Sequence, residues 1–126
     1  MKFLQKQYDR EYDLSLVSFN DEITELDKYV FEKIDREKRE LVAKAEKFIG
    51  QVVDYSNPLF EGGLVLNSIE TIGTAERAYS VALECFFAKD EHMYWTVTFN
   101  FPLVHADQES VEKGRFWPIE FKRRVE

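Results

Sequence analysis

From Tyr12 to about Phe19 the chain alternates, with Tyr12, Leu14 and Leu16 on one side and Asp13 and Ser15 on the other. That is the period of a half-buried strand. The period then lengthens: Ile23, Leu26, Val30 and Ile34 recur at three and four residues, and the stripe resumes with Leu41, Ala45, Phe48 and Val52. This spacing predicts an amphipathic helix. Asn20 and Asp21 are its expected cap, Asp21 and Glu22 place negative charge in its first turn, and Gly50 after Lys44 and Lys47 is its expected stop. Glu32 with Arg36, Asp35 with Arg39 and Glu40 with Lys44 set an acid four residues before a base, as exposed pairs. No Gly or Pro interrupts residues 21–49, so the pattern predicts one helix over 22–49, roughly 42 Å long. A helical hairpin turning near residues 35–38 is the alternative, but that segment lacks turn chemistry.

After the punctuation at Ser56, Asn57, Pro58, Gly62 and Gly63, everything reads as strand. Leu64 to Ile72 is the least regular. Tyr79, Val81, Leu83, Cys85 and Phe87 share one face with Ser80, Ala82, Glu84, Phe86 and Ala88 on the other. Met93, Trp95, Val97, Phe99 and Phe101 alternate with Tyr94, Thr96, Thr98 and Asn100, and the polar Lys89–His92 segment is short enough for a hairpin. Trp117, Ile119, Phe121 and Val125 predict a last strand with those residues on one side, and Pro118 places it at an edge or moves its start later. The expectation is a single α+β domain over residues 1–126, of two layers, with one long α-helix packed on a four- to five-stranded antiparallel sheet. This strand–helix–strands order is similar to the cystatin-like arrangement. Gln51, Val52 and Val53 match part of the inhibitor loop of that family, but Tyr55 stands where the loop has glycine, and no protease-inhibitor activity is inferred.

Composition narrows the function classes. The 126 residues carry 24 acidic and 17 basic side chains, a formal charge of −7. The charge is spread: residues 1–63 hold 14 acids and 10 bases, and residues 64–126 hold 10 and 7. Nucleic-acid binding through phosphate neutralisation needs a basic face, and the one basic cluster is Lys122, Arg123 and Arg124, so direct nucleic-acid binding is not expected. A negative field steers cationic partners instead, although such charge also serves solubility alone. Apolar runs are four residues at most, far from the roughly 20 of a membrane-spanning helix. With a single cysteine and a start whose apolar run ends after Phe3 and Leu4, the chain reads as cytoplasmic.

No motif specifies a reaction. Gly62 and Gly63 lack the pattern of a phosphate-binding loop and read as a turn. His92, His105 and Cys85 lie scattered among carboxylates without zinc spacing, and Asp90, Glu91 and His92 read more simply as a solvated loop than as metal ligands. No cofactor and no metal are expected. Cys85 falls on the apolar alternation, which makes it a buried, inert thiol rather than a nucleophile activated by His92. Glu84 shares a strand face with Ser80 beside Tyr94, Thr96, Thr98 and Asn100. Such a face is ordinarily the wet side of a sheet, but under a partner its hydroxyls and acids would bind directionally. An acid–base enzyme would need a second acid beside Glu84, and no pattern identifies one, so no catalytic residue is assigned. Phe is frequent, at 11 residues, and Phe86, Phe116 and Trp117 do not all fit one buried face; an exposed subset would make an interface anchor.

The stretch Leu83, Glu84, Cys85, Phe86, followed by Asp90, Glu91, His92, Met93, Tyr94, Trp95, Thr96 and Val97, resembles small bacterial domains of unknown function built from a strand, an acidic-acidic-His turn and a second strand. Met93 follows His92 where those domains tend to carry glycine. Some of them are immunity-type proteins of polymorphic or contact-dependent toxin systems. The resemblance implies a stoichiometric inhibitor that covers a basic toxin, with Glu84, Asp90, Glu91 and Tyr94 as partner-binding residues and no catalytic residue. The alternatives are a small-molecule-binding or enzymatic domain with a cleft between helix and sheet, and a subunit that dimerises through its sheet edge.

Overall fold

The alternation from Tyr12 forms one strand, as expected, and a further strand precedes it. The structure, a computed structural model, describes residues 2–8, 12–18, 22–73, 78–103, 105 and 107–125. Strands β1 (Lys2–Tyr8) and β2 (Tyr12–Ser18) pair antiparallel, from Lys2 opposite Ser18 to Tyr8 opposite Tyr12. Helix α1 (Glu25–Ile49) follows, then a 3-10 turn at Pro58–Phe60 and strand β3 (Leu64–Gly73). Parallel neighbours cannot be joined by a tight turn, and β3 lies parallel to β2, so the connection carrying α1 is the crossover between them. Strands β4 (Ala78–Phe87), β5 (Asp90–Pro102) and β6 (Trp117–Val125) continue as an antiparallel meander, with helix α2 (Gln108–Lys113) before the last. The six strands stand in chain order across one sheet. The α+β class and the single long helix stand as expected. The sheet is wider than four to five strands by β1, and one of its pairs is parallel.

Helix α1 starts later than its expected cap. Thr24 is the N-cap: its hydroxyl accepts from the Asp27 amide at 3.2 Å, and Asp27 returns the bond by accepting from the Thr24 amide at 2.9 Å. This reciprocal box satisfies two of the free amides of the first turn. Asn20 and Asp21 lie outside the described residues. Val30, Ile34, Leu41, Ala45 and Ile49 are buried against Leu14, Ile69, Val81, Leu83, Val97 and Phe99. Val52 is not part of this stripe, because the helix ends at Ile49 and leaves it 66% exposed.

Two of the bases expected to pair along the helix make longer reaches. Arg36 pairs with Glu112 of α2 at 2.7 Å, and Lys44 donates to the Phe116 carbonyl at 3.2 Å. Lys33, almost wholly buried, pairs with Glu37 at 3.0 Å and donates to the Glu112 carbonyl at 2.9 Å. A buried ammonium needs such partners, and here they fasten α2 to α1. Sequence reading placed only strand after Gly63 and so missed α2. Its signal is local: Asp107 accepts from the Ser110 amide at 2.8 Å. That bond holds the Asp107 carboxyl below the usual carboxylate range.

Two further expectations shift. The β4–β5 turn is Ala88–Lys89, so Asp90, Glu91 and His92 already belong to β5. In β6 a bulge lets Thr98 pair with Glu120 and Phe99 with Pro118, leaving Ile119 as the extra residue. Trp117, Ile119, Phe121 and Val125 therefore do not line one face. One inserted residue reverses the alternation beyond it. Pro118 does lie on an edge strand, as proline in a sheet requires.

Candidate functional site

Both helices lie on one side of the sheet. Val111 of α2 shares the hydrophobic core with the α1 stripe, Phe101 and Phe116. Among the described residues no helix covers the other side. Directly opposed residues of an antiparallel ladder share a face, so the registers assemble that outer face row by row. Val65, Phe86, Tyr94 and Arg124 form one row. Ser68, Glu84, Thr96 and Lys122 form the next, and Glu70, Ala82, Thr98 and Glu120 a third.

Glu84 is the centre of the connected part. Its Oε1 accepts from the Asn67 side-chain amide at 2.7 Å, and its Oε2 accepts from Arg124 Nη2 at 3.2 Å. Asn67 gets there because the β3 register skips it between Leu66 and Ser68, a bulge that re-aims a side chain. The Arg124 guanidinium stands over the Tyr94 ring, 5.3 Å from its centroid. Phe86 meets Tyr94 edge to face at 5.9 Å and 73°. The side chain of Glu84 is 24% exposed and that of Arg124 57%, so the pair sits at the surface, where such bonds contribute about 0–1 kcal/mol. Trp117, opposite Asn100 and 58% exposed, adds a second aromatic surface to this face.

The expected site residues divide. Glu84 and Tyr94 are brought together, linked through Arg124. Asp90 is not brought to them: it pairs with Phe87, a residue of the buried, helix-facing set. Glu91 is exposed in the irregular start of β5, where the register steps from Phe87 opposite Asp90 to Phe86 opposite Tyr94. Asn67 and Arg124 were missed. The first depends on a bulge in the least regular strand, and the second belongs to the basic cluster, which the alternation splits. Lys122 and Arg124 face outward, while Arg123 lies over the Trp95 ring at 5.6 Å on the helix side. Of the three aromatics in doubt, Phe116 is buried and stacked on Phe101 at 4.3 Å, while Phe86 and Trp117 fall on the outer face.

Other chemistries fare less well. Burial, with the Glu84 charge as a lesser cause, pushes the Cys85 thiol up to about 12. It is not a thiolate at neutral pH. Among the described residues no three His, Cys, Asp or Glu side chains converge as metal ligands. The carboxyl of buried Asp27 faces Thr24 and Tyr79 and serves as a structural acceptor. An open groove of about 700 Å³ runs between α1 and α2, but Lys33 and Arg36 on its wall are paired with Glu37 and Glu112. No helix is long and apolar enough to cross a membrane among the described residues. Comparison with protein-family models, with curated proteins and with solved structures finds no match to this chain.

Proposed function

We propose that this chain is a protein-binding domain that docks a basic protein on the outer face of its sheet, as an immunity-type stoichiometric inhibitor docks its toxin. The observation that carries the reading is the composition of that face. Phe86 and Trp117 lie on the side that α1 and α2 leave bare, Phe86 beside the Glu84–Tyr94 cluster and Trp117 farther along the same side, opposite Asn100. Aromatic anchors within a polar surround are what stable interfaces are made of. Glu70, Glu84 and Glu120 on the same face, in a chain of net charge −7, favour a cationic partner and speed its approach.

The reading of an enzyme or small-molecule binder with a cleft between helix and sheet has less behind it. Among the described residues, those of the sheet under α1, such as Ile69, Leu83 and Val97, are fully buried and pack as core.

The test is capture from native lysate at about 50 mM and about 500 mM salt, conditions whose Debye lengths differ roughly threefold. Three columns are compared: the native protein, Glu84→Lys, and Phe86→Ala with Tyr94→Ala. A basic protein retained one-to-one by the native chain at low salt, and lost on both variant columns, is the expected result. Equal retention by variants that keep the native melting temperature would refute the face. Retention of nothing would refute the reading.

A further inference from the structure

We propose that β6 is a self-association edge: two copies of the chain pair their β6 strands antiparallel about a two-fold axis at Phe121, joining the two sheets into one. This goes beyond the docking reading and does not rest on it. The juxtaposition that carries it is that of Glu120 and Lys122, which flank Phe121 and both lie on the outer face, opposite Thr98 and Thr96 of β5. Both are exposed, and among the described residues neither side chain has a hydrogen-bond or ion-pair partner. Opposite charges set directly across a strand pair stabilise it, but β5 offers each of these two only a threonine. A strand that supplies an acid to Lys122 and a base to Glu120 has to lie on the open side of β6. Run antiparallel about Phe121, β6 itself does so: Glu120 faces Lys122 of the second copy, and Lys122 faces Glu120 of the second copy.

The edge is open to such pairing. The six strands stand in chain order, so β6 has β5 on one side and, among the described residues, no strand on the other. Every second residue of such a strand turns its amide and carbonyl to the open side. Charges and proline on an edge ordinarily deter chance pairing, and here they select one register. A two-fold axis perpendicular to the sheet sets its central residue opposite its own copy. Residues 120–125 pair regularly with β5, and only Phe121 and Val125 among them are uncharged. Every other centre opposes like charges, and a centre at Val125, the last residue of the strand, aligns almost nothing. The bulge at Ile119 and the missing amide hydrogen of Pro118 end the ladder on one side. On the helix side the axis brings together two Phe121 rings, each already held by Phe48 at 5.7 Å and Trp95 at 5.6 Å.

The test is the mass of the whole protein by sedimentation equilibrium from about 10 μM to about 1 mM, a range suited to so short an interface. Glu120→Lys, Lys122→Glu and the double variant carrying both are compared with the native chain. The native chain is expected to pass from monomer to dimer across the range. Each single variant sets like charges together twice, once on either side of the axis, and is expected to dimerise roughly tenfold or more weakly. The double variant exchanges the charges and is expected to restore the native behaviour. Unchanged melting temperatures in dilute solution show that the variants fold. A native chain that stays monomeric throughout overturns the proposal. A dimer that both single variants leave intact overturns the edge, and weakened single variants that the double variant does not rescue overturn the register. A mass that grows beyond the dimer overturns the two-fold, because it means open-ended, head-to-tail pairing.

Discussion

The Tyr79 hydroxyl donates to Asp27 Oδ1 at 2.6 Å, joining residues 52 apart in the chain. Both residues are buried, and the same carboxylate closes the capping box on Thr24. One hydrogen bond thus seats the first turn of α1 on β4. Tyr79→Phe removes the donor but keeps the ring, leaving Asp27 with an unmet acceptor in the interior. A loss of about 1–3 kcal/mol is expected in urea unfolding at neutral pH. An unchanged midpoint would mean that water replaces the hydroxyl.

Alkaline sensitivity should follow from groups that the fold keeps neutral. Burial pushes Cys85 from 9.0 to about 12 and Tyr55 from 10.0 to about 12, and it raises Tyr79 as well, with the Asp27 bond adding to the effect. In the unfolded chain these groups ionise near their ordinary values, so above them the folded state holds more protons. Stability is then lost as pH rises. The contribution is intact below about pH 9, where the unfolded thiol begins to ionise, and declines through about pH 12. Urea midpoints measured from pH ~8 to ~11 should fall, and the fall should be shallower in Tyr79→Phe.

The Cys85 thiol should be silent in the native protein. It is fully buried on the helix side of β4, and the thiolate is the reactive form. A disulfide reagent at pH ~8 should label it only after denaturant is added. Rapid labelling of the folded chain would contradict its burial.

Two glycines are held by aromatic rings. A Cβ at Gly50 would lie 2.8 Å from the Tyr55 ring, whose hydroxyl donates to the Glu46 carbonyl. A Cβ at Gly114 would lie 2.6 Å from the ring of Phe101, which is buried and stacked on Phe116. Gly114→Ala should cost about 1–3 kcal/mol, as overpacking does. Gly50→Ala should cost less, because the partly exposed Tyr55 can swing aside, and in a Tyr55→Ala background the same Gly50→Ala change should no longer destabilise. Thermal melts of the single and double variants decide this.

The two faces of the sheet should separate stability from binding. Leu83→Ala, on the buried side, should cost about 2–5 kcal/mol. Trp117→Ala, on the exposed side, should leave the melting temperature nearly unchanged while weakening partner retention.

Much of the architecture was legible because burial has a period. Tyr79 to Phe87 and Met93 to Phe101 alternate cleanly, and the buried positions of β4 and β5 are those the alternation assigns. The α1 stripe was equally plain. Strand β1 and helix α2 were not, since neither presents a long apolar period, and α2 is held by Lys33, Arg36 and Val111 reaching partners far away in the chain.

Half of the candidate site was legible. Glu84 and Tyr94 could be placed on one polar face because β4 and β5 are neighbours in sequence and joined by a short turn. Asp90 and Glu91 looked like their companions because they are close in the chain, but a register step between Phe86 and Phe87 moved them away. Asn67 and Arg124 came from strands on either side, one re-aimed by a bulge and one carried in by the pairing of β6 with β5.

Periodicity by itself determined the fold class, the long helix and the inward residues of the central strands, because those depend on each residue's burial relative to its near neighbours. The parallel pairing of β2 with β3, the capping of α1 tied to Tyr79, and the Asn67–Glu84–Arg124–Tyr94 cluster were decided only by the tertiary structure. Strand order and register bring together residues that no local pattern relates, and a single bulge changes which face they share.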